Sequence, residues 1–247
     1  MLSVEIDKGR IIKSCIFHKH VTKDVILNIM NISLLRKVIS EAIGTAFLVM
    51  IVIGSGIMGQ NLSTDTLSIL LANTLATGVG LTTLIWVFIA ISGAHFNPAV
   101  TLVMLLRREM PALEALAYIA AQFLGAMLGV LIVHAMFDLA LLQISSNFRG
   151  GVNLYLSESI ATFGLLMTIL SVRRFSLIAL APAVGLYISA GYWFTASTSF
   201  ANPAVTVARG FTDSFTGIDP AFIPPFIGAQ LIAAVTAMLL MRFLLDD

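Results

Sequence analysis

Six stretches of this chain stay apolar for about twenty residues each, at about Leu35 to Gly56, Leu67 to Ile91, Ala112 to Phe137, Leu154 to Val172, Leu177 to Ala196 and Phe222 to Leu245. A helix rising ~1.5 Å per residue needs roughly that length to cross a hydrocarbon core of ~30 Å. Lipid offers backbone amides and carbonyls no partners, so a spanning segment must be a helix or belong to a closed barrel. Continuous rather than alternating apolarity selects helices. With 58% hydrophobic and 11% charged residues among 247, no stretch remains for a separate soluble catalytic domain. The expectation is an all-α integral membrane protein.

Residues 1–33 are the only sizeable polar segment, carrying Lys8, Arg10, Lys13, Lys19 and Lys23 without the compact apolar core of a cleaved leader. The segment reads as a cytosolic tail or as a basic arm for the membrane surface, and Met30 is an alternative start. Cytoplasmic loops retain Lys and Arg. A cytosolic N-terminus puts that tail, Arg36, Lys37, Arg107, Arg108, Arg173, Arg174 and Arg242 inside, and only Arg149 and Arg209 outside. Both termini are therefore expected in the cytoplasm. The single cysteine, Cys15, excludes an intrachain disulfide.

The part from 34 to 245 is written twice. "SEAIGTAFLVM" (Ser40 to Met50) resembles "SESIATFGLLM" (Ser157 to Met167), pairing Glu41 with Glu158 and Thr45 with Thr162. "NPAVT" at Asn97 to Thr101 returns at Asn202 to Thr206, and "AQFLGA" at Ala121 to Ala126 has a counterpart in "AQLIAA" at Ala229 to Ala234. The repeats cover about 34–137 and 154–245. Each holds three spans, an odd number, so the second enters the membrane upside down and equivalent elements meet at the bilayer midplane.

Asn is a favoured N-cap and Pro a favoured first helical residue. Asn97-Pro98-Ala99 and Asn202-Pro203-Ala204 are therefore helix starts. The apolar stretches behind them end near Arg107 and near Arg209-Gly210, where a cation suits the negative helix end and glycine the position past it. Two re-entrant half-helices of about eleven residues result, each ~16 Å long. Non-helical backbone at membrane depth is tolerated where it is buried in protein or lines a water-filled cavity. The lead-in loops "ISGAH" and "STSFA" are accordingly expected to line a pore. Two positive helix ends at its middle disfavour cations, and a capping Asn keeps its amide free to donate to a passing oxygen.

These residues together resemble the aquaporin/aquaglyceroporin (major intrinsic protein) family: "SGAHFNPAVTL", the second NPA, the Glu-bearing first and fourth spans, and the "AQxxGA"-like third and sixth. The resemblance covers about 34–245 and is of a bacterial type. It implies six helices plus two half-helices, one pore per subunit, a homotetramer in the cell inner (plasma) membrane, and passive conduction without chemistry, metal or cofactor. It also implies that Glu41 and Glu158 accept hydrogen bonds from the re-entrant loops, and that His95 lines the inner vestibule. A satisfied loop histidine and a pH gate are the other readings of His95.

Most members carry Arg after the second NPA, where this chain has Val205. By the family's spacing the other filter positions fall on Thr77, Ala190 and Ser199, so the filter is expected to be wide and free of arginine. Arg209, four residues beyond Val205, shares its helix face. It either neutralises the helix end or reaches back as a substitute guanidinium. Trp193 reads as an interfacial anchor or as a second narrowing element. Gly44, Gly78, Gly80 and Gly125 suit close helix approach, and Asn61-Leu62-Ser63 matches a glycosylation sequon.

The expected function is passive passage of water and small uncharged solutes such as glycerol and urea, extending to neutral metalloid hydroxides or methylated arsenicals. No nucleophile–base pair, metal-ligand cluster or nucleic-acid-binding basic stripe is present in the sequence. Competing classes are a proton-coupled secondary transporter that uses Glu41 or Glu158, and a membrane protein that keeps the fold without conducting.

Overall fold

The computed structural model describes residues 32–245, so the basic arm of residues 1–31, with Cys15 and Met30, lies outside the described residues. Among the described residues there are eight α-helices: α1 (Leu34–Leu62), α2 (Thr66–Ser92), α3 (Pro98–Leu106), α4 (Ala112–Met136), α5 (Val152–Val172), α6 (Leu177–Phe194), α7 (Pro203–Arg209) and α8 (Ile223–Leu244). A 3₁₀ turn, Pro220–Phe222, leads into α8. Six helices are long and apolar enough to cross a membrane, matching the six apolar runs. No strand occurs among the described residues. The protein is an all-helical integral membrane protein.

Local chemistry sets the helix ends. Asp65 caps α2 by accepting from the Ser68 amide at 2.8 Å, and Ser176 caps α6 by accepting from the Ala179 amide at 3.1 Å. Pro182 lies inside α6 and cannot donate to the carbonyl four residues back, that of Ile178. The Trp86 indole of α2 donates to that same carbonyl at 3.3 Å. A helix defect is thus closed by its neighbour. The first span runs to Leu62, past Gly56, where the sequence suggested a stop. Gly56 works by proximity instead, since a Cβ there would lie 2.6 Å from the Thr216 methyl.

The packing repeats as the sequence does. Helix α1 lies against α4 as α5 lies against α8, while α2 and α6 join the two halves. In lipid, close packing and interhelical hydrogen bonds replace the hydrophobic drive between helices. Gly125 lets α4 approach α1 until an added Cβ would sit 2.2 Å from the Ala42 carbonyl oxygen. Buried Asn73 ties α2 to α1, donating to the Val52 carbonyl and the Ser55 hydroxyl, each at 2.8 Å.

The half-helices α3 and α7 have nine and seven residues, shorter than the expected eleven. Gly210 caps α7 at φ −69°, in the right-handed region, so conformational freedom does not explain it. Its Cβ would approach Ile223 Cδ1 to 2.7 Å, which does. Outside the spans, the segment from 138 to 151 is stitched to the segment after α7. The Ser145 amide donates to the Gly210 carbonyl at 3.0 Å, and Ser146 donates through amide and hydroxyl to Asp213 at 2.9 and 3.0 Å.

Candidate functional site

Each lead-in loop is held by one buried carboxylate. Glu41 Oε1 accepts from the Ser92 hydroxyl at 2.6 Å and the His95 amide at 3.0 Å, while Oε2 accepts from the Phe96 amide at 2.7 Å and Gln122 at 2.8 Å. Glu158 accepts from the Phe200 and Ala201 amides, both at 2.9 Å, and from Gln230 at 2.6 Å. The two glutamines also donate to Thr101 and Thr206 in the half-helices, at 3.0 and 2.9 Å. Their structural role was not read from the sequence, although the repeated "AQ" pointed to them.

The loops adopt an uncommon backbone at matching places. Ala94 and Ser199, three residues before each Asn, have φ of 53° and 52°. Phe96 and Ala201, one residue before, have φ of 48° and 47°. The left-handed region disfavours side chains by ~1–2 kcal/mol per residue. Here it turns successive amides toward one carboxylate, an anion-binding arrangement.

Asn97 Oδ1 accepts from the Ala99 amide at 2.9 Å, and Asn202 Oδ1 from the Ala204 and Val205 amides at 3.0 and 3.3 Å. Their amide groups are not wholly free, which corrects the sequence expectation. Asn97 Nδ2 donates to the Ala201 carbonyl at 2.7 Å, and Asn202 Nδ2 to the Phe96 carbonyl at 2.8 Å. A primary amide has two N–H groups, so one remains on each for the lumen. Pro98, Ala99, Pro203 and Ala204 are buried behind these caps.

Beside the two tips runs a cavity of about 200 Å³. It extends along α6 from Leu177 to Tyr192, with Met104, His95 and Arg173 toward one end and Thr77, Ser199, Val205 and Arg209 toward the other. Most of its wall is aliphatic, including Leu48, Val52, Leu81, Ile85, Val100 and Leu165. Glu41 and Glu158 are fully buried and are not part of the wall.

A sequence profile described as "Major intrinsic protein" matches residues 28–175. The chain is 50% identical over 213 residues to the aquaglyceroporin AqpS of Rhizobium meliloti (strain 1021), covering 86% of this chain and 91% of the relative. The chain belongs to the major intrinsic protein family. Nodulin-26 of Glycine max is 29% identical over 212 residues, 82% of this chain and 77% of that one. The solved aquaglyceroporin from Plasmodium falciparum superposes with a TM-score of 0.64 at 26% identity, over 83% of this chain and 94% of the other. As a member of this family the protein is a channel for water and small solutes, not an enzyme.

Within this major intrinsic protein, the four positions counted as a filter do not all meet. Thr77, Ser199 and Val205 line the cavity and are buried. Ala190 is exposed on the surface of the chain and lines nothing, so its assignment is corrected. Helix α6 presents Val184, Ile188 and Tyr192 to the cavity instead, and the Tyr192 hydroxyl lies 3.2 Å from Thr77 Oγ1. Nor is the lumen free of arginine. Arg209 lines it, 2% exposed, with its guanidinium carbon 3.3 Å from the centre of the Phe200 ring. Trp193 is 46% exposed and outside the cavity. His95 contacts Thr101 Oγ1 at 3.1 Å and packs edge-on against Tyr118.

At the opposite end Arg173 is held by Glu109 through two contacts of 2.6 and 2.5 Å, and Arg107 reaches the same carboxylate at 2.7 Å. Partial burial raises the Glu109 pKa, but hydrogen bonds and charge from Arg173 and Arg107 outweigh that and hold it below the ordinary range. Arg173 was not singled out in the sequence as a cavity residue. In the sequence it reads as a cytoplasmic loop charge.

Proposed function

We propose that this channel conducts uncharged solutes broader than water: glycerol and urea, and beyond them neutral metalloid hydroxides or methylated arsenicals. The observation that carries the reading is the outer half of the cavity wall. There Thr77, Ser199 and Val205 are small and uncharged, so position 205 adds no bulk or charge beside the second NPA, and Tyr192, Phe200 and Arg209 complete that end of the wall. The aliphatic remainder suits the apolar side of such solutes and disfavours ions, whose transfer out of water is costly. The 50% identical relative named an aquaglyceroporin supports the same class.

Asn97, Pro98 and Ala99 with Asn202, Pro203 and Ala204 form the midplane of the pore, and His95 lines the inner vestibule. Glu41 and Glu158 serve as scaffold: both lie outside the cavity wall with loop amides on their oxygens, which argues against a proton relay. The working unit is a homotetramer with one pore per subunit in the plasma membrane, both termini cytoplasmic, and residues 34–245 form the channel.

Stopped-flow light scattering on proteoliposomes tests the reading. Water efflux and re-swelling in glycerol, urea and an uncharged arsenical should all exceed empty liposomes by on the order of tenfold. Fast water without solute flux would limit the channel to water. Solute uptake that saturates and follows a proton gradient would favour coupled transport.

A further inference from the structure

Resting on the proposed passage of neutral solutes, we infer that Arg209 and Ser199 form a solute-recognition site in the outer lumen that binds a hydroxyl- or oxo-bearing neutral solute and repels cations. Arg209 stands here in place of an arginine at position 205.

Three observations converge on these residues. Ser199 lines the cavity, and its hydroxyl, buried on the side of Gly191, has no hydrogen-bond partner among the described residues. An unpaired buried hydroxyl is unfavourable, and a small turn of the side chain toward a solute oxygen in the lumen would relieve it. Arg209 lines the same end of the cavity and forms no ion pair among the described residues; its Nε donates to the Thr216 carbonyl. Its charge is therefore not cancelled by a bound carboxylate, and its terminal amino groups make no hydrogen bond among the described residues.

The guanidinium is also fixed in place. The Arg209 guanidinium carbon lies 3.3 Å over the centre of the Phe200 ring, which has the Arg149 guanidinium carbon at 5.1 Å. Arg149 itself donates to the Gly217, Phe215 and Ser197 carbonyls at 2.8, 3.3 and 3.4 Å. Glu158 holds the Phe200 amide beneath. A planar donor group clamped by a ring and a carbonyl is pre-organised for oxygen acceptors, and Arg149 is its positioning residue. Tyr192 and Thr77 complete the polar rim.

The experiment uses the full chain in proteoliposomes, reading proton leak with a pH-sensitive dye alongside the glycerol-to-water flux ratio. Arg209→Gln is expected to raise the leak by on the order of tenfold and to change the ratio severalfold. Arg209→Lys keeps the charge but not the planar fork, so it should retain proton exclusion while the ratio shifts. Ser199→Ala should move the ratio alone, and Trp193→Phe, outside the cavity, neither.

A labelling variant guards against a folding defect. In a Cys15→Ser background, Arg209→Cys modified with a positively charged thiol reagent should recover exclusion, and with a neutral reagent of equal size should not. Equal recovery with both reagents, or Arg209→Gln with wild-type leak and ratio, overturns the inference. A wild-type protein that conducts no neutral solute would instead overturn the proposed function, with Arg209 untouched.

Discussion

At the scale of single residues, chain spacing and helical phase give different answers for α6. Counting back from Asn202 reaches Ala190, but the count crosses the non-helical lead-in from Thr195 to Ala201, where residues do not advance 100° each. The phase is set within the helix, where Leu180, Val184, Ile188 and Tyr192 recur at helical intervals on the cavity face. Ala190→Phe should therefore leave the glycerol-to-water ratio unchanged, while Ser199→Phe lowers it by on the order of tenfold in the same proteoliposome assay. Ser199 and Val205 were legible because each lies within three residues of Asn202, while the count to Thr77 crosses the lead-in from Gly93 to Phe96 and still lands on the cavity face. The contact of Arg209 with Phe200 depends on tertiary packing that no local pattern encodes, so the sequence left the two readings of Arg209 open.

At the scale of elements, the spans were legible because lipid leaves a continuous apolar run one solution. Their ends were less so, since a glycine that permits contact and a glycine that stops a helix look alike in sequence. Gly125→Val places a side chain against the Ala42 carbonyl and should destabilise the α1–α4 pair by about 1–3 kcal/mol, seen as a lower melting temperature in detergent. Gly228→Ala, with nothing within 4 Å, should stay within about 0.5 kcal/mol. The tie between the ends of α3 and α5 has a pH signature. Because the Glu109 pKa is depressed on folding, its contribution is present above the ordinary carboxylate range and is lost as pH falls through the depressed value. Wild type and Glu109→Gln should differ in melting temperature at neutral pH, and the difference should vanish in strong acid.

At the scale of the whole molecule, the duplicated motifs reported an inverted repeat, and the packing of α1 with α4 and α5 with α8 follows it. What the sequence did not disclose is how the halves finish one another. The amide of Asn97 is bonded to a carbonyl of the second half, and that of Asn202 to a carbonyl of the first. Either half made alone would leave these groups unmatched in a medium that supplies no substitute. A gene divided between Leu139 and Ala140, both exposed, should thus yield two fragments that are degraded separately but accumulate when co-expressed, as followed by immunoblot of membranes. The crossed pair of asparagines makes the lumen a joint product of both halves, complete only when the second re-entrant segment is seated against the first.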